Sequence, residues 1–276
     1  MRWATADTVL DLRGRFDTFL IDQFGTIHDG TLVYSGALAA LRGLKASGAR
    51  VVLLSNSGKR AVPNAARLAR LGIPPDAFDL FVTSGEVAWT SLHDRAIPAA
   101  RDARRALVLD RDGGGGLLDG LELQAVAERP DVVLIAGSEG DRRTLDSYRA
   151  QLGPYAAAGI PALCLNPDRT MLTPTGPAFG AGRIAESYAE LGGDVTWIGK
   201  PHPAIYAHTF AALGVTAAGA VGVGDSVEHD IAGARRMGAA GWLVRTGILD
   251  GADDASVAAE CARVGVVPDG VLRAFG

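Results

Sequence analysis

An α/β fold is predicted, a Rossmann-like core built on a parallel sheet, and three observations predict it. Short apolar runs at residues 19–21, 51–54 and 220–223 read as strands buried on both faces. Stretches with apolar residues at helical spacing alternate with them, as the crossover helices of a parallel sheet require. Finally, successive runs end in polar residues, Asp22, Ser55, Lys200 and Asp225, and the carboxyl end of the strands is where open α/β sheets place their ligands.

In chain order, residues 5–18 read as a short helix and the approach to the first strand, 19–21. After the Asp22 loop, residues 35–47 carry Leu38, Leu41 and Leu44 at helical spacing, with Gly48 as C-terminal cap. Strand 51–54 ends in Ser55-Asn56-Ser57-Gly58, and a helix over 63–71 stops at Gly72 with Pro74 beyond. Strand 78–82 ends in Thr83-Ser84-Gly85 and leads into a helix over 86–92. Across 95–105 the texture becomes rich in Arg, Asp and Ala. Strands 106–109 and 132–135, a helix over 142–152, a strand 162–165 leading into Asn166-Pro167-Asp168, and a helix over 182–191 follow. Residues 96–192 are therefore read as an inserted α/β domain between core segments 1–95 and 193–276. The core resumes with strand 195–198, ending in Gly199-Lys200-Pro201-His202-Pro203, and a helix over 204–213. Strand 220–223 ends in Gly224-Asp225 and leads through Asp230 into a helix reaching Met237. A strand at 242–244 and a helix at 255–264 close the pattern.

The 276 residues are 48% hydrophobic and 21% charged, ordinary values for a globular chain. A net charge of −4 gives no electrostatic footprint for nucleic acid or an anionic membrane surface. The start, Met1 to Asp11, has no apolar signal-peptide core, and no apolar run approaches the ~18 residues of a membrane span. The expected compartment is the cytoplasm. Cys164 and Cys261, far apart and without a motif, are expected as two buried thiols.

Three glycine-rich patterns are set aside. The Gly113–Gly116 run lacks a following helix start or a Lys-Ser/Thr pair and is expected to be a turn. Gly199-Lys200 is not a P-loop, because Asp194 stands where the first glycine should and Pro201 follows the lysine. Gly222-Val223-Gly224 has Val227 where a dinucleotide fingerprint needs its third glycine.

The strand ends offer two carboxylates (Asp22, Asp225), a hydroxyl beside an amide (Ser55, Asn56) and an ammonium (Lys200). Two convergent carboxylates repel unless a cation lies between them, and hard divalent cations such as Mg²⁺ take oxygen ligands. A lysine and hydrogen-bond donors suit phosphate oxygens. One carboxylate could be a nucleophile that forms an aspartyl-phosphate.

On these motifs the sequence resembles the haloacid dehalogenase-like phosphohydrolases, and most of all their class IIA branch of nitrophenylphosphatase-like and sugar-phosphatase-like members. Asp22-Gln23-Phe24-Gly25-Thr26 is similar to the first motif of that family and Leu54-Ser55-Asn56-Ser57 to the second. Lys200 in Gly-Lys-Pro-His-Pro is similar to the third, and Gly224-Asp225 through Asp230 to the fourth. The resemblance implies Asp22 as nucleophile and metal ligand, with Ser55, Asn56 and Lys200 on the phosphate. It further implies Asp225, Asp230 and the backbone carbonyl of residue 24 as Mg²⁺ ligands. The inserted segment would be the cap that excludes water and selects a small phosphorylated metabolite, with Asp168 and Arg169, and His28 of the first motif's loop, as candidate substrate contacts. Caps of this branch are implicated in dimer contacts, so a homodimer stays open.

One residue departs from the pattern. Where the family has a second Asp, which protonates the leaving group and then activates water, this chain has Phe24. General acid–base help is worth ~10²–10⁴ in rate. Three outcomes stay open: a phosphatase whose substrate needs no protonation or whose acid is replaced by His28, Asp29 or a cap group; slow hydrolysis of the aspartyl-phosphate; or a protein that binds a phosphorylated ligand without efficient turnover.

Overall fold

The computed structural model describes residues 3–111, 116–174 and 176–276. Gly113 to Gly115 of the run expected as a turn, like Met1 and Arg2 at the start, lie outside the described residues. In chain order the elements are β1 (Ala4–Ala6), β2 (Thr18–Ile21), α1 (Ala37–Ala46), β3 (Arg50–Ser55), α2 (Ala61–Leu71), β4 (Leu80–Thr83) and α3 (Ser84–His93). Then come β5 (Arg105–Leu109), β6 (Gln124–Ala125), β7 (Val132–Ile135), α4 (Leu145–Ala157), β8 (Ala162–Cys164), β9 (Thr170–Thr173), β10 (Gly176–Phe179) and α5 (Ala181–Glu190). The chain closes with β11 (Val195–Trp197), α6 (Pro203–Leu213), β12 (Ala220–Gly224), α7 (Gly233–Arg236), β13 (Ala240–Val244), α8 (Asp254–Val264) and β14 (Gly270–Leu272).

These elements form two compact units. The first comprises Met1–Ser55, Asn64–Val82 and Tyr206–Gly276, the second Asn56–Pro63 and Thr83–Ile205. The segment 96–192 expected as an insertion lies wholly within the second unit, which also takes in short stretches on either side of it.

The first unit is built on a seven-stranded sheet in the order β1-β14-β13-β12-β2-β3-β4. β2, an interior strand next to the central β12, runs parallel to both neighbours, with Ile21 opposite Val223 of β12 and Leu53 of β3. That register decides the site, since one or two residues beyond these partners each strand delivers its polar end, Asp22, Ser55 and Asp225. The strands are buried on both faces, so they read as continuous apolar runs. Leu41 and Leu44 of α1 enter the core with Phe19, Ile21, Val51 and Leu53, where Leu→Ala typically costs ~2–5 kcal/mol.

The second unit has its own sheet, β11-β8-β7-β5-β6, again parallel, and a separate antiparallel hairpin of β9 and β10. α4 and α5 supply Tyr148, Leu152, Ile184 and Tyr188 to its core. Cys164 and Cys261 are buried free thiols. Among the described residues no helix is long and apolar enough to cross a membrane.

The structure departs from the expected elements where partners are distant or short. The helix expected within 5–18 is the strand β1, paired with β14 from the far end of the chain, followed by a single 3₁₀ turn at Val9–Leu12. Local periodicity carries no trace of such a partner. α2 starts two residues before Pro63, because a proline in the first turn sacrifices no helical hydrogen bond. The expected helix after β12 opens instead as a π-helical turn, Val227–Ala232.

Candidate active site

In the first unit the chain leaves β2 at Asp22, whose N–H still donates to Val223 O at 2.9 Å. It then closes a tight turn in which the N–H groups of Thr26, Ile27 and His28 all converge on Gln23 O. Gly25 makes the turn possible. Its φ is +83°, and a Cβ there would stand 2.1 Å from Asp225 Oδ2. The loop after β13 packs on the same glycine, with Thr246 Oγ1 donating to Gly25 O at 2.6 Å and Ile248 N donating to Asp225 Oδ2 at 2.8 Å.

Asp22, Asp225 and Asp230 come together, with one carboxylate oxygen from each lying within 4.8 Å of the others. Asp225 and Asp230 are buried and Asp22 half-buried. Thr26 Oγ1 donates to Asp22 Oδ2 at 3.3 Å. The π-helical turn serves Asp230, whose Oδ2 accepts from Ser226 N at 3.1 Å. Gly224 leaves room for this carboxylate, since a Cβ at residue 224 would sit 2.1 Å from Asp230 Oδ2. Three anionic groups so close repel one another, and the donor set, all carboxylate oxygen, fits a hard divalent cation.

Ser55 ends β3, nearly buried, and its Oγ accepts a short hydrogen bond from Gln23 Nε2. Phe24 is 42% exposed, its ring edge-on to His28 with centroids 5.8 Å apart. His28 is a correction to the expectation of a substrate contact or stand-in acid. It has no exposed surface, Nδ1 accepts from Gly30 N at 2.9 Å, and Nε2 faces Gln23 Oε1 at 3.5 Å. Burial, seconded by the charge of Arg67, lowers its pKa to about 4, so it is neutral at physiological pH. Asp29 is equally unsuited to donate a proton. It caps its own turn by accepting from Leu32 N, Thr31 Oγ1 and Thr31 N, and these bonds hold its pKa at about 2.

The second unit holds Asn56, Lys200 and Asp168. The side chain of Asn56 is spent on structure: Oδ1 accepts from Lys200 N at 2.7 Å, and Nδ2 donates to Lys200 O at 3.1 Å and to Asp168 Oδ1 at 2.8 Å. This amide thereby fixes the backbone at Lys200. Gly199 must be small, because a Cβ would meet Ser84 Oγ at 2.5 Å and Asn56 Oδ1 at 2.7 Å. Lys200 is buried. Asp168 also closes the Asn166 turn through its N–H, and Arg169 pairs with Glu186 at 3.0 Å.

Two contributors escaped the sequence reading. Gln23 could have been flagged as a long amide set among apolar residues, a position that costs energy unless both amide ends are bonded. In the second unit Arg60 makes a two-pronged pair with Glu86 and lies 3.9 Å from the Trp89 ring. Neither neighbour is close to it in sequence.

Comparison with known proteins identifies the family. A family model described as haloacid dehalogenase-like hydrolase matches residues 19–150, and a second, HAD-hydrolase-like model matches residues 197–271. Sugar-phosphatase AraL of Bacillus subtilis is 30% identical over 237 residues, 83% of this chain and 82% of its own length. A crystal structure of a haloacid dehalogenase-like hydrolase from Brucella suis matches with a TM-score of 0.84 at 26% identity, covering 98% of this chain and 100% of the other. The glycerol phosphate phosphatase of Mycobacterium tuberculosis, in complex with magnesium, matches with a TM-score of 0.68 at 25% identity, over 88% of this chain and 71% of the other.

Proposed function

The chain belongs to the haloacid dehalogenase-like hydrolases, in their class IIA branch, and from that premise we propose that it is a Mg²⁺-dependent phosphatase acting through an aspartyl-phosphate on Asp22. The observation that carries the proposal is the convergence of Asp22, Asp225 and Asp230 at one end of the central strands.

An oxygen of Asp22 attacks phosphorus in line, the bond to the leaving oxygen breaks, and the leaving group departs with the electron pair. Water then attacks the phosphorus of the aspartyl-phosphate, releasing inorganic phosphate and restoring Asp22. Mg²⁺ held by Asp22, Asp225, Asp230 and the Phe24 carbonyl would supply positive charge to the phosphoryl oxygens. Ser55 donates a hydrogen bond to the phosphate. Lys200 is assigned to phosphate charge by its motif, with Asn56 setting its backbone.

Phe24 shapes the substrate class. It cannot give a proton, and in the first unit neither His28 nor Asp29 takes its place. Unless the cap supplies an acid, the substrate is a small phosphomonoester whose leaving group departs readily as an anion, such as an aryl phosphate. Sugar phosphates and glycerol phosphates, which the relatives' names indicate, complete the panel. The same residue favours a second reading, a protein that binds a phosphorylated ligand and turns it over poorly.

Phosphate release from p-nitrophenyl phosphate, with and without Mg²⁺ and with Asp22→Asn as control, tests the proposal. Turnover that needs both metal and Asp22 supports it. Phosphate binding without turnover moves the assignment to the second reading.

A further inference from the structure

Three buried side chains of the first unit, His28, Gln23 and Ser55, form one chain of hydrogen bonds whose direction follows from a single backbone group. Gly30 N lies 2.9 Å from His28 Nδ1. A backbone N–H can only donate, so Nδ1 carries a lone pair, and the neutral imidazole has its proton on Nε2. The atom that faces Nε2 at 3.5 Å must then accept, which makes it Oε1 of Gln23. An amide has one oxygen, so the other end, Nε2, faces Ser55 and donates to Oγ. The Ser55 oxygen thus receives a hydrogen from Gln23, and its own hydroxyl hydrogen is directed to another partner.

The alternatives fail on hydrogen-bond arithmetic. With the Gln23 amide turned over, His28 would have to accept at both nitrogens, which a neutral imidazole cannot do. A protonated ring would set an Nδ1–H against the Gly30 N–H. All three side chains are buried, where an unmatched donor or acceptor costs ~1–3 kcal/mol, so the order is enforced.

We propose that Gln23 and His28 are positioning residues that occupy one lone pair of the Ser55 hydroxyl and keep its hydrogen turned away from Gln23, for donation elsewhere, and so tune the site to an acceptor-only anion, the phosphoryl dianion. The proposal rests on the phosphatase reading for the role of Ser55 and goes beyond it in assigning Gln23 and His28. A phosphoryl oxygen accepts and never donates, and a hydroxyl whose hydrogen is already kept off Gln23 loses less freedom when the anion arrives.

The test reads inorganic phosphate binding to the full chain in the presence of Mg²⁺, by calorimetry. Gln23→Glu keeps the size of the side chain but offers Ser55 an acceptor, so the hydroxyl turns inward. Gln23→Glu and Ser55→Ala are each expected to weaken phosphate binding by ~10–100-fold, the usual worth of a hydrogen bond to a charged group. The double variant is expected to bind no more weakly than Ser55→Ala, because both changes remove one interaction. The uncharged Gln23→Met is expected to show the same coupling with Ser55→Ala, which would separate the relay from simple repulsion by a new carboxylate. In the unchanged protein, ¹⁵N shifts of His28 are expected to report the Nε2–H form. Losses that multiply in both double variants, or a proton on Nδ1, would overturn the relay, and the second readout needs no variant to fold. If the unchanged chain bound no phosphate while His28 carried its proton on Nε2, the phosphatase reading would fall and take the role of Ser55 with it.

Discussion

Replacing Phe24 by Asp puts the missing acid to a quantitative trial. The side chain is 42% exposed, meets His28 edge-on and lies over the side of Gly30 where a Cβ would stand. A fully buried Phe is worth ~1.5–3 kcal/mol, so truncating one this exposed should cost about 1 kcal/mol, and the variant should fold. Restored general acid–base chemistry should raise kcat/KM on an alkyl phosphate such as glycerol phosphate by ~10²–10⁴, or ~3–5 kcal/mol of barrier. On p-nitrophenyl phosphate, whose leaving group scarcely needs a proton, the gain should stay below about tenfold. Steady-state assays on the two substrates give the answer in one ratio. Equal gains on both, or no gain on the alkyl phosphate in a folded variant that still turns over the aryl one, would refute the claim that the acid is what Phe24 removed.

Other consequences follow from the same geometry. Asp230→Asn keeps an acceptor for Ser226 N but removes one of three crowded charges. It should raise the thermal midpoint in chelator by about 2–4 °C per kcal/mol relieved, while the stabilisation by added Mg²⁺ shrinks. Gly25→Ala forces a left-handed conformation on a residue with a Cβ and drives that Cβ into Asp225. Stability should fall by more than the ~1–2 kcal/mol of the backbone term, and half-saturation by Mg²⁺ should rise at least about tenfold in a metal titration. His28 has a folded pKa of about 4 against 6.5 when exposed, so the unfolded chain binds its proton first as pH falls. Its contribution is complete above pH 6.5 and should decline between pH 6.5 and 4, by roughly 2–3 kcal/mol in all. Denaturant melts of the wild type and His28→Phe should differ in slope across that window.

The strands were legible because parallel strands buried on both faces are continuous apolar runs, and their polar ends marked Asp22, Ser55, Lys200 and Asp225. Asp230 was legible only through its motif, since the π-helical turn that aims it back at Gly224 leaves no periodic trace. What stayed hidden depends on register and burial. β1 and β14 are three residues each and find one another across the whole chain. The commitment of the Asn56 amide to Lys200 joins residues 144 positions apart. His28 reads as an ordinary turn histidine until its complete burial is known. Gln23 gained meaning only when Ser55 was seen at its far end.

The most direct trial of the central claim is intact-mass measurement of the protein quenched in acid during turnover of p-nitrophenyl phosphate with Mg²⁺. The account predicts that one phosphoryl group is gained, mapped to Asp22 and absent in Asp22→Asn, and that it accumulates because Phe24 leaves the attacking water without its base. Rapid turnover in which Asp22→Asn performs as well as the wild type, with no phosphoryl group ever trapped, would contradict it.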